Sequence, residues 1–211
     1  MRTQCPNCLA TTETFTDVFS NRFPVIADAC VLADVAKRDL ILTLAEAELF
    51  RLRWSDRILS ETASAIQKIL QHREDAKDRA EKAIAAMRSG FPEAMDYESA
   101  TIVDGLDCLP DKNDHHVLAS AIACKAVMIV TKNLKDFPAE ALKPYSIEAR
   151  SADEFIADTI DLDYVKSIPA IKAMRAKLKN PTMTSQELLE RWLAKGMIAT
   201  SGVLAPQVQN I

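Results

Sequence analysis

Four carboxylates occupy places where a fold can gather them: Asp28, Glu61, Asp114 and Asp136, with the amide Asn133 close before the last. Asp28 ends the apolar run Val25-Ile26-Ala27, and apolar residues resume at once through Ala29-Cys30-Val31-Leu32. The stretch reads as a strand of a parallel sheet buried on both faces. A carboxylate is costly to desolvate, so Asp28 belongs at the strand's C-terminal end, facing the crevice where open α/β sheets bind ligands. The competing reading is an ordinary strand-end Asp capping a helix or turn. Glu61 borders the apolar stripe that begins at Ile58. Asp114 precedes an apolar helix, whose N-terminus favours a carboxylate. Asn133 and Asp136 follow a second buried strand. If the two strands are parallel neighbours, Asp28, Asp114 and the 133–136 loop meet at one crevice, and Glu61 reaches it from the side.

Crowded carboxylates repel one another, and a divalent cation compensates them. Oxygen ligands select hard ions, Mg²⁺ or Mn²⁺, which keep waters and bind substrate phosphate. Such ions turn water into a nucleophile and steady a leaving oxygen. The chemistry this points to is metal-dependent phosphodiester hydrolysis. Acidic residues at strand ends are common, however, and spacing alone leaves the capping reading open.

The elements that must position these groups follow from hydrophobic period and punctuation. A strand at 25–29 leads to a helix over 38–50, with Leu40, Leu44 and Ala47 in phase. Arg51–Trp54 is short and admits a second strand. Ser55 is a good N-cap for a helix from Asp56 to about Met87, whose later half, from His72 to Lys82, is a charged face or protruding arm. Ser89-Gly90-Phe91-Pro92 stops it. Ala100–Val103 is a candidate strand, and 109–114 a turn-rich loop. A helix over 116–125 and a buried strand over 126–131 come next, then a polar loop and an edge strand at 145–149. This alternation predicts an α/β fold with a parallel sheet. From Ser151, an N-cap with an acidic first turn, the pattern becomes all-helical. Further helices are expected over 163–179 and 185–195, the last capped by Thr184 or Ser185 and ended by Gly196. This tail is locally basic, which suits a solvated face better than a dedicated nucleic-acid contact.

Composition sets the bounds. The 211 residues, 48% apolar, suffice for one substantial domain with an appendage. Only four glycines are present, and neither G-x-G-x-x-G nor the P-loop pattern occurs, which disfavours nucleotide folds built on glycine loops. The net charge of −4 argues against binding through a broad basic surface, but not against local phosphate contacts. No apolar run suits a membrane span and no signal-peptide core is visible, so a cytoplasmic protein is expected. Five cysteines fit free thiols. Cys30, Cys108 and Cys124 read as core residues. Cys5-Pro6-Asn7-Cys8 has the spacing of half a zinc site but lacks the other half. Residues 1–22 read as a flexible leader.

The segments Asp28-Ala29-Cys30-Val31-Leu32, Arg38-Asp39-Leu40 and Arg53–Glu61 resemble the front half of a PIN domain. Leu109–Ala119 and Ile129–Pro138 resemble its back half. The likeness is greatest to VapC-type ribonuclease toxins with a helical C-terminal extension. It implies a parallel sheet flanked by helices (α/β/α) over 23–150, an all-helical extension over 151–211, and a Mg²⁺ or Mn²⁺ site. It also implies endonucleolytic cleavage of RNA, a cognate antitoxin and a homodimer. By this resemblance Asp28, Glu61 and Asp114 bind metal, and either Asn133 or Asp136 fills the fourth position. Thr131 orients a ligand or water, Arg38 touches substrate phosphate or is a plain surface residue, and Asp111 is a supporting acid or a turn residue. His115 and His116 are expected to cap or pack, and Trp54 to lie in the core. The alternative is a non-catalytic RNA-binding or assembly module on the same fold, which Asn133 favours. A sheet-crevice phosphotransferase would want Asp where Cys30 stands.

Overall fold

The computed structural model describes residues 23–96, 109–179 and 181–211. The expected leader, the Cys5/Cys8 pair, the strand at 100–103 and Cys108 lie outside them.

Val25, Ile26 and Ala27 are fully buried because their strand, β1 (Pro24–Ala27), is flanked on both sides. Each such Val or Ile contributes about 1.5–3 kcal/mol of burial. The strand ends one residue before Asp28, and Ala29–Leu32 turn straight into a short helix, α1, instead of prolonging it. Helix α2 (Val35–Glu46) is capped by Asp34, whose side chain accepts from the Ala36 N–H. Strand β2 (Arg51–Ser55) pairs parallel with β1. Trp54 on it is fully buried, edge-on to Phe91.

Ser55 caps α3 (Asp56–Ile69) by accepting from the Ile58 N–H. The expected long helix is in fact two, α3 and α4 (Ala76–Gly90), joined by a turn. Its reason is visible in the residues. The apolar stripe of α3 runs out after Ile66, and the residues that follow, 71–74, are all exposed. Asp75 instead gathers Arg73 (2.8 Å) and Arg79 (2.6 Å), and α4 packs back on α3. Ala80 meets Ala33 and Ile66 in a small satellite core. The charged segment is thus half of a hairpin and not a protruding arm.

After β3 (Met95–Asp96), the described chain resumes before α5 (His115–Ala123), β4 (Met128–Val130), α6 (Ala139–Leu142) and β5 (Glu148–Arg150). Among the described residues the strands form one sheet in the order β3-β2-β1-β4-β5, all neighbours parallel, with β5 at an edge as expected. The chain moves one way from β1 to β2 and the other way to β4. The gap between the C-terminal ends of β1 and β4 is therefore the topological switch point.

Ser151 opens α7 (Ala152–Leu162), followed by α8 (Tyr164–Ala176), α9 (Ser185–Ala194) and α10 (Ile198–Leu204). Thr184 and Glu187 form a capping box on α9, and Gly196 leaves it at φ +76°. These helices share the main hydrophobic core: Phe155 meets Phe50 edge-on at 4.9 Å. No described helix is long and apolar enough to cross a membrane.

Candidate active site

The register Ala27↔Val130 brings Asp28 and Thr131 together at the switch point. The Asp28 N–H donates to the Val130 carbonyl at 2.9 Å, so the pairing carries one residue beyond β1. Asp28 stands at the N-cap position of α1, yet its side chain makes no cap bond. Its Oδ2 instead accepts the Thr131 hydroxyl at 2.7 Å and the Cys30 thiol at 2.9 Å. The Lys132 N–H donates to the Cys30 sulfur (3.2 Å), and the Asn133 N–H to the Thr131 oxygen (3.1 Å). Two backbone donors thus polarise the two groups that hold Asp28. No described residue donates to its other oxygen. Burial, then the neighbouring Asp28 charge, pushes the Cys30 thiol up to about 12, which keeps it a protonated donor. The expectation that Cys30 is a plain core thiol is therefore corrected: it is half-buried and turned to the site.

Asp114 is a second N-cap carboxylate that caps nothing, at the start of α5. Burial first, then the charges of Asp28, Asp136, Asp111 and Glu61, push its carboxyl up to about 6. Asp114 therefore feels the charges of all four acids. Asp136 ends a short 3-10 turn and is half-buried. The Asn133 side chain is exposed and caps nothing. Asp111 is engaged as a turn cap, accepting from the Asn113 N–H at 2.8 Å.

Glu61 projects from α3 and is held by two groups. Arg57, one turn earlier, donates to its Oε1 at 3.1 Å. His116 Nε2 lies 3.0 Å from its Oε2, close enough for an ion pair but not aligned as a hydrogen bond, so Nε2 is buried without such a partner. The other ring nitrogen donates to the Asn113 carbonyl at 2.6 Å. Burial lowers the His116 pKa against the pull of Glu61. His116 is a buried residue, as expected of packing, but it also faces a site acid. Arg38 donates to the Leu32 carbonyl at 2.8 Å and is half-buried.

The side chains that sequence reasoning missed are Cys30, Arg57 and His116. Two of them carried a signal. Arg57 stands four residues before Glu61, a helical ion-pair spacing, and Cys30 is two residues past Asp28.

The donor set suits a hard divalent cation: carboxylate oxygens, a raised carboxyl among like charges, and one oxygen of Asp28 to which no described residue donates. Among the described residues, no three His, Cys, Asp or Glu side chains are already gathered as a chelating group.

The PIN domain family matches residues 24–135, more than half of the chain. The chain belongs to the PIN domain family. A second match, described as the VapC50 C-terminal domain, covers residues 152–206 of the extension that follows the PIN domain. A relative from Mycobacterium tuberculosis (strain ATCC 25618 / H37Rv), described as "Putative ribonuclease VapC50", is 43% identical over 77 residues. That stretch is 36% of this chain and 46% of the relative, so the chain spans less than half the length of the curated relative it matches. No solved structure matches the chain.

Proposed function

We propose that this protein is a metal-dependent endoribonuclease, the toxin of a toxin–antitoxin pair acting in the cytoplasm. The observation that carries the reading is Asp28, a buried carboxylate held by Thr131 at the switch point of a PIN-domain sheet, with Asp114 close enough to feel its charge; both stand at N-cap positions and neither caps. The family matches and the name of the mycobacterial relative support RNA as substrate and an antitoxin as partner. The homodimer rests on family likeness alone, as does the division into a PIN domain over 23–150 and an extension over 151–211.

Asp28, Glu61, Asp114 and Asp136 would hold Mg²⁺ or Mn²⁺. The bound ion would supply a water nucleophile at neutral pH and neutralise charge on the phosphate. Thr131 and Cys30 fix one oxygen of Asp28 and leave the other for the ion. Asp136 is favoured over Asn133 for the fourth position, because it is a carboxylate whose charge is felt at Asp114, while the Asn133 side chain is uncharged and exposed. Arg57 neutralises Glu61 until an ion arrives. Arg38, tied to the Leu32 carbonyl, is better suited to bracing α1 against α2 than to gripping phosphate.

The test is incubation of total RNA with the full chain plus Mg²⁺ or Mn²⁺, with a chelator, and with Asp28→Ala. Discrete fragments that vanish with chelator and with Asp28→Ala are expected. RNA binding without cleavage would instead favour the non-catalytic module, for which the exposed Asn133 speaks.

A further inference from the structure

The clamp of Thr131 on Asp28 opens on one side into a cleft of about 470 Å³, within the range of small-ligand sites. One wall belongs to the PIN core and includes Val31, Thr131 and Lys132. The facing wall is Gly196, Ile198 and Ala199 of the C-terminal extension. That wall is firmly held. The Asp153 carboxylate accepts the Ala199 and Thr200 N–H groups at 2.8 and 2.9 Å, and the Thr200 hydroxyl donates to the Asp153 carbonyl at 3.2 Å. Ile198 is thereby fixed at the cleft with 69% of its surface exposed. Core packing gives no reason for an isoleucine there.

The charges of the cleft are unequal in availability. Asp153 is engaged with backbone N–H groups, and Glu154 accepts the Ser151 hydroxyl at 2.7 Å. Lys37, also at the cleft, lies 3.7 Å from Asp34. Lys132 is exposed and makes no ion pair among the described residues. A cation without an ion pair among the described residues and an apolar side chain therefore face one space, whose lining includes Thr131, the residue bonded to Asp28. A nucleotide needs this combination: charge for its phosphate, and apolar surface for its sugar or base face.

We propose that this cleft binds the nucleotide adjoining the scissile phosphate of single-stranded RNA, with its phosphate on Lys132 and its sugar or base against Ile198. The C-terminal extension is then part of the substrate-binding surface and more than a brace. The proposal rests on the nuclease reading of the Asp28 site. Continuity with Thr131 favours RNA over a protein occupant, since a chain crossing Asp28 must leave along such a wall.

The experiment is fluorescence anisotropy with a labelled single-stranded oligoribonucleotide and the full chain, in chelator so that nothing is cleaved. Lys132→Ala and Ile198→Ser are compared with wild type and with Val165→Ser, an equally solvent-facing site outside the cleft (85% exposed). Both cleft variants should bind roughly three- to tenfold more weakly, and Lys132→Ala should flatten the log–log salt slope by about 0.7, as for one lost phosphate contact on a single strand. Val165→Ser should match wild type, and all variants should keep the wild-type Tm. Wild-type affinity in both cleft variants, or no RNA binding by the wild-type chain, overturns the proposal; the first result assigns the cleft to a protein partner. Failure of the nuclease reading looks different: no metal-dependent cleavage by the wild-type chain, with the binding differences intact.

Discussion

At the residue scale, Asp28 and Asp114 both stand where an aspartate ordinarily caps a helix, and neither caps. Asp34 and Ser55, nearby, do cap. This contrast separates residues whose side chains cap a helix from two that stand at the same position and do not, and it was not legible in sequence, because all four precede a helix in the same way. What was legible was the set of acids itself, since each follows or precedes a strong apolar run. Arg57 and Cys30 were legible only as spacings to Glu61 and Asp28, and His116 was not legible, because its approach to Glu61 comes from a contact across the fold. The Asp114 environment gives a prediction with a definite sign. Its carboxyl titrates near 3.8 when unfolded and near 6 in the folded chain. The ionised group therefore weakens the fold, fully above pH 6 and not at all below pH 4. In chelator, Asp114→Asn should be more stable than wild type at pH 7.5 by about 1 kcal/mol, a value reduced for the group's partial exposure. The gain should fade as pH falls through 6 and vanish near pH 4. Urea unfolding at the three pH values checks it; an equal gain at all of them would mean that burying the ionised Asp114 carboxylate among like charges is not the cause.

At the element scale, the two central strands, β1 and β4, were plain in the sequence because burial on both faces leaves apolar runs, whereas β2, β3 and β5 carry polar residues. The break between α3 and α4 was not legible. Residues 70–75 hold neither Gly nor Pro, and the turn arises from tertiary packing of Ala80 on Ala33 and Ile66 together with the arginine clasp of Asp75. The last helix, α10, was also missed, since its seven residues have little amphipathic pattern and are held by Asp153 from α7. Asp153→Ala should therefore cost about 1–2 kcal/mol, the value of a lost cap. It should also raise hydrogen exchange in α10 more than in α2. Unchanged exchange at α10 would mean that packing alone holds the helix.

At the scale of the whole molecule, the extension and the PIN core share one hydrophobic cluster, which couples them in folding. Phe155 is the clearest link, buried against Phe50. Phe155→Ala should lower stability by about 3–5 kcal/mol and leave a single unfolding transition. Two separated transitions would show that the extension folds apart from the core. Under the proposed function, the whole arrangement serves hydrolysis by water at an acid-held metal. The most direct measurement is end-group analysis of a labelled single-stranded RNA cut by the full chain in Mg²⁺ or Mn²⁺. Cleavage is expected to disappear with chelator or Asp28→Ala and to leave no 2′,3′-cyclic phosphate, because water and not the ribose hydroxyl attacks. Cyclic phosphate ends, or cleavage that survives both chelator and Asp28→Ala, would contradict the proposed function.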